Sequence, residues 1–193
     1  MQLEHAKSSD TVGAQLTKAQ ALGEHTKAGG VYRIECLDAD GNLKWSAESH
    51  NLVVNQGLQD MNTKYFSGSS YTATWFIGLY GAAASNNPAA SDTAASHPGW
   101  TEVTPYSNAN RPTCTFGTAT TADPSVITNG ASPAQFSINA SATIGGAFLI
   151  SNNTKGGTTG ILFSASDFAA PGDRTVASGD TLNVSYTFSL DAA

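Results

Sequence analysis

The stretch "TLNVSYTFSL" alternates without a break: Leu182, Val184, Tyr186, Phe188 and Leu190 are apolar, and Thr181, Asn183, Ser185, Thr187 and Ser189 are polar. A period of two is that of a strand with one face buried and one in water. The same period runs through "VYRIECLDADGNLKWSAES", where Tyr32, Ile34 and Cys36 alternate with Arg33 and Glu35, and Leu43, Trp45 and Ala47 return after Asp40-Gly41. Asp-Gly between two alternating runs predicts a hairpin turn. "TATWFIGLYG" is apolar on both parities, with Trp75, Ile77 and Leu79 on one side and Phe76 and Tyr80 on the other. It predicts a central strand covered on both faces. "RPTCTF", "AQFSINA", "IGGAFLIS" and "TGILFSAS" add short strands punctuated by Gly, Pro, Asn and Asp.

One segment follows a helical period. In "NLVVNQGLQDMNTKYFSGSS", Leu58, Met61 and Tyr65 fall at i, i+3 and i+7, with Asn55 placed to cap the helix and Ser67-Gly68 to end it. This helix is expected to cover one face of "TATWFIGLYG". The expected fold is therefore mainly β: an antiparallel, jelly-roll-like β-sandwich with one short helix near residues 55–66. Its core should hold Trp45, Trp75, Ile77, Leu149, Leu182, Val184, Tyr186 and Phe188. Residues 1–30 are too polar and Gly-broken to make a core, and read as an extended N-terminal arm that anchors to a partner through Leu3, Leu16 and Leu22. Residues 31–193 read as a single domain with a long, low-complexity loop at 81–99, a length usually reserved for functional loops or linkers.

Composition narrows the function classes. Charged residues make up only 12% of the 193, with 9 Lys and Arg against 15 Asp and Glu, a net charge of −6. An acidic chain without a basic patch is ill suited to phosphate backbones, so no nucleic-acid partner is expected. No run reaches the roughly 18 apolar residues that span a bilayer, so no membrane partner is expected. "MQLEHAKSSDTVGAQL" lacks the apolar core of a secretory signal. Cys36 and Cys114 form no close pair and read as buried thiols.

Candidate chemistry is sparse. Asp38, Asp40 and Asn42 have the spacing of a calcium loop, but Leu43 stands where the sharp-turn glycine belongs and Ser49 where the bidentate acid belongs. The stretch reads as a hairpin turn. His5, His25, His50 and His97 include no HxH or HxxxH pair. There is no G-x-S-x-G elbow and no glycine-rich phosphate cradle. We therefore expect no enzyme, no catalytic residue, no metal and no cofactor. "DTAASHPGWTE" supplies the remaining candidate, an interface loop of His97, Trp100 and Tyr106. Trp100 and Tyr106 read as plugs at the end of the sandwich, with a sugar-stacking platform as the alternative.

Six blocks, "HNLVVNQGLQDM", "TATWFIGLYG", "SDTAASHPGWTE", "NANRPTCTFG", "SNNTKGGTTGILFSASDF" and "VASGDTLNVSYTF", resemble in order and spacing a family of tailed-bacteriophage virion structural proteins, from about His50 to Phe188. The arm and first hairpin are less typical of that family. The resemblance implies a capsid decoration, or cement, protein made in the host bacterial cytoplasm and located on the phage head surface. Its implied partners are the major capsid protein and further copies of itself, a trimer being the favoured oligomer. A tail-fibre or other virion module contacting host glycans is the alternative.

Overall fold

A computed structural model of the chain describes residues 26–192 except 69, 72–73, 82–86 and 169–171. The elements begin with β1 (Thr26–Leu37), β2 (Leu43–His50), β3 (Leu52–Val53), α1 (Asn55–Phe66), β4 (Trp75–Gly81), β5 (Thr101–Val103) and β6 (Thr113–Cys114). They continue with β7 (Ser125–Thr128), β8 (Ala134–Ser137), β9 (Ala142–Ile144), β10 (Gly146–Ile150), β11 (Leu162–Asp167), β12 (Arg174–Val176) and β13 (Thr181–Ala192). One sheet has the order β2-β1-β13-β7, with β8 also on β13; the other has the order β3-β11-β10-β4-β5, with β6 also on β4. All of these pairings are antiparallel, and the fold is mainly β.

The two sheets share one core. Tyr32, Ile34 and Cys36 of β1 stand opposite Tyr186, Val184 and Leu182 of β13, so the even positions of both strands face inward. They meet Ile77 and Leu79 of β4 and Ala147 and Leu149 of β10, all buried. Trp45, Trp75 and Phe188 pack against this core but are only partly buried. Several polar side chains inside pair with one another, whereas Tyr106 Oη is buried without a hydrogen-bond partner among the described residues. Tyr32 Oη lies 2.9 Å from Ser164 Oγ, Asn51 Nδ2 donates to Tyr186 Oη at 2.8 Å, and the Ser49 and Ser166 hydroxyls bond each other.

Both thiols lie in this core. Burial pushes the Cys114 thiol up to about 12, and burial together with the Asp180 carboxylate pushes Cys36 up to about 11. The thiolate is the reactive form. Folded protein should therefore leave both cysteines unmodified by Ellman's reagent at mildly alkaline pH, and denatured protein should react at both. Rapid modification in buffer would show an accessible core.

β4 is central, as its two apolar faces predict, but the helix is not what covers its second face. Residues 87–100 do. Trp100 packs there against Tyr80 and Phe148, with ring centroids 5.2 and 5.0 Å away. Helix α1 instead lies against β11. Of the face expected from Leu58, Met61 and Tyr65, Met61 packs half-buried against the core, whereas Leu58 is 41% and Tyr65 83% exposed. The buried helical residue is Gly57, where an added Cβ would stand 2.3 Å from the Phe163 carbonyl oxygen. The contact is made by backbone approach, which hydropathy does not register. Asn55 does not cap the helix either; Val54 holds that position without a side-chain bond, and the Asn55 N–H donates to the Ala90 carbonyl at 2.8 Å.

Two loops are tied to β5 by a buried ion pair. Arg111 donates from Nε and Nη2 to both carboxylate oxygens of Glu102 at 2.9 and 2.7 Å. Its remaining bonds go to the carbonyls of Asn152 and Gly157, both at 2.9 Å. Gly156 N–H completes the Glu102 carboxylate at 2.8 Å.

Candidate functional site

The sandwich is open at one end, and the reason lies in strand lengths. β1 pairs with β2 only as far as Val31↔His50, whereas its pairing with β13 continues to Thr26↔Ala192. The expected arm thus overlaps the sandwich at residues 26–30. On this extension the inward positions of β13 are Phe188 and Leu190, and Ile127 of β7 stands opposite Phe188. The other sheet does not follow them. That sheet reaches the cleft only through Trp75 of β4, Leu149 of β10 and Phe163 of β11, and the C-terminal half of α1 stands beside them. The result is an apolar cleft of about 670 Å³.

Aromatic side chains form its walls. Phe163 packs edge-on against both Phe188 and Trp75, with centroids 5.4 and 5.5 Å apart, and Phe116 meets Tyr186 at 6.2 Å. Tyr65, Phe66 and Tyr71 line the same cleft and are 83%, 79% and 76% exposed. Tyr65 and Phe66 touch edge to face at 4.9 Å. The charged residues lining the cleft, Asp60 and Lys64, face each other at 3.9 Å across one helical turn. An exposed aromatic cluster around an apolar floor is an adhesive surface. It offers few groups for orienting a polar substrate.

A second depression, on the solvent face of the five-stranded sheet, holds about 390 Å³ between Arg33, Glu48 and Thr128. Arg33 is already paired with Glu35 at 2.8 Å. Among the described residues, no three His, Cys, Asp or Glu are grouped to hold a metal ion. The Asp38 carboxylate accepts the N–H groups of Asn42 and Asp40 at 2.8 and 2.9 Å, and the first of these does most to hold its carboxyl below the usual range. It thus organises the hairpin turn. No described helix is long and apolar enough to cross a membrane.

The candidates read from the sequence are not part of this cleft. Leu3, Leu16 and Leu22 lie outside the described residues. His97, Trp100 and Tyr106 do not form one exposed loop surface. Trp100 is 3% exposed and Tyr106 fully buried, and they belong to different clusters, one outside the six-stranded sheet and one between the sheets. His97 does meet Trp100. Its ring stacks on the indole at 3.8 Å, and its Nδ1 lies 2.9 Å from the Trp100 carbonyl oxygen. The indole N–H donates to buried Asp92 at 2.8 Å. Trp100 is a packing anchor for residues 87–100, and no stacking platform exists at that corner. The exposed aromatics lie instead in "KYFSGSSY", residues 64–71. Two adjacent aromatics running into a Gly-Ser turn were the available signal, obscured because Tyr65 also fits a helical face.

Comparison with protein-family models, with curated proteins and with solved structures finds no match.

Proposed function

We propose that this chain is a non-enzymatic structural protein of a phage virion, which decorates the outside of the head shell and stabilises it. The observation that carries this reading is the adhesive end of the sandwich: Tyr65, Phe66 and Tyr71 stand exposed together around an apolar cleft. Exposed aromatics in a cluster are how a protein without a chemical site grips another protein. A shell supplies many identical copies of the complementary surface. The six sequence blocks that resemble virion structural proteins support the same reading. A glycan-binding module is less well supported, since Trp100 and Tyr106 are buried.

The direct test is the copy number per particle and a map of intact particles. Hundreds of copies on the head surface are expected, and a handful at the tail would overturn the assignment. At the level of residues, the Tyr65→Ala/Phe66→Ala/Tyr71→Ala variant should fold with little change in stability, because these side chains are exposed. Aromatic anchors of interfaces each contribute on the order of 2 kcal/mol, so losing all three should weaken particle binding at least about a hundredfold. Undiminished binding would place the grip elsewhere.

A further inference from the structure

Strand β2, eight residues long, ends the five-stranded sheet, and among the described residues no strand pairs with its outer side. We infer that this edge pairs antiparallel with the same edge of a second copy of the chain, about a twofold axis at Ala47. The backbone supplies the reason. The Asn51 N–H donates to the Gly30 carbonyl at 2.9 Å, and the β1–β2 register carries that ladder on through Ser49 and Ala47. Bonding residues alternate along an antiparallel ladder, so Ser46, Glu48 and His50 turn their N–H and C=O groups away from β1. All three residues are exposed. A row of unpaired backbone groups is a template for another strand. The usual guards of such an edge are missing from residues 45–50, which hold no Pro, no Lys and a single acid, Glu48. The bulge lies before them, where Cys36 faces Trp45 and Leu37 faces Leu43. Lys44, the extra residue of that bulge, is drawn to Asp180 at 2.6 Å.

A second copy offers one edge of matching length, its own β2. The opposite flank of the same sheet is already covered. Gly117 and Thr120 N–H groups donate to the Thr128 and Val126 carbonyls of β7, both at 2.9 Å. Ser107 N–H donates to the Ser137 carbonyl of β8 at 2.8 Å, and the Asn108 side chain bonds the same strand at Gln135 and Ser137. In the six-stranded sheet, β3, β5 and β6 have only 2, 3 and 2 residues. Charge then selects the register. An axis at Glu48 would set two carboxylates directly opposite each other, which is destabilising. An axis at Ser46 would need Lys44 in the ladder, from which the bulge removes it. An axis at Ala47 sets Ser46 of each copy opposite Glu48 of the other, joined by about four backbone hydrogen bonds. A pair formed in this way has twofold symmetry, so it is not the trimer that the resemblance implies. The inference does not rest on the virion reading.

The tests use the full-length, isolated protein, so their outcome is independent of whether it decorates a particle. Two edge strands make a small interface, and association in the range of about 1–100 µM is expected, read by sedimentation velocity. Monomer throughout that range, or a trimer, would overturn the inference. Ser46→Pro removes an outward N–H and leaves the bonds to β1 intact, so it should weaken association roughly tenfold or more with little change in melting temperature. Undiminished dimer in this variant would place the contact elsewhere and also overturn the inference. The register is tested by Ala47→Cys, since Cys36 and Cys114 are buried. A non-hydrogen-bonded pair across the axis sets its two Cα atoms about 4.5 Å apart, within reach of a disulfide. Oxidised glutathione should therefore link two chains through this position far faster than through the exposed control Asp40→Cys. Equal yields from the two variants would overturn the inference even if Ser46→Pro proved unstable.

Discussion

Replacing Trp100 with Ala is expected to destabilise the protein by about 3–5 kcal/mol, the range for deleting a buried indole. The side chain fills the outer face of the six-stranded sheet between Tyr80 and Phe148, and nothing else among the described residues occupies that space. The change also removes the N–H that Asp92 accepts, leaving a buried carboxylate with one bond fewer. Trp100→Phe separates the two effects. It keeps most of the packing but not the hydrogen bond, and should cost about 1–3 kcal/mol, the range for a buried acceptor left short of a partner. Urea unfolding with an unchanged m-value is the measurement. A loss below about 1 kcal/mol for Trp100→Ala would mean that residues 87–100 do not seal the sheet.

The second large effect is expected at Arg111. Arg111→Ala strands Glu102, whose side chain is 8% exposed, and frees the carbonyls of Asn152 and Gly157. Breaking a buried pair from one side costs about 3–5 kcal/mol, because the remaining charge is shielded from water and keeps, among the described residues, only the Gly156 N–H as a partner. Arg111→Lys should recover little, since an ammonium cannot reproduce the two-point contact with Glu102. The double replacement Arg111→Met/Glu102→Leu should be far less damaging than the single changes added together. A double-mutant cycle measures that coupling directly. Additive losses would show that the two side chains act independently, contrary to the geometry.

The short strands β6, β8, β10 and β11 were legible only as apolar runs between turn residues, and the strands whose faces were legible are those long enough to show a period. β1, β2, β4 and β13 have 12, 8, 7 and 12 residues, and each states its faces through alternation or through apolar residues on both. β3, β7 and β12, with 2, 4 and 3 residues, have no period to read. Their strand character comes from β11, β13 and β9, on which they pair. The helix was legible in extent but not in orientation, because its closest approach to the sheet is at Gly57, a residue with no side chain to signal it. The 81–99 stretch read as a loop for want of hydrophobic residues. Two groups give its described part a place: Trp100 at its end, and Asp92, which looks like an ordinary surface acid until the indole N–H is found pointing at it. The cleft was the least legible feature. It arises from a mismatch in length between the two sheets, which no local window contains.

The pairing of β1 with β13 has a consequence for how the protein is made. Its register runs from Thr26↔Ala192 to Leu37↔Thr181, joining segments far apart in the sequence. This pairing is the centre of the five-stranded sheet, since β1 carries β2 and β13 carries both β7 and β8. During synthesis the β1–β2 hairpin emerges early and must wait, with one edge unpaired, until residues 181–192 have been made. Contacts between such distant segments close late and slowly. The sandwich therefore completes itself only after residues 181–192 have left the ribosome, and a chain stopped before β13 is left with an open strand edge prone to aggregation.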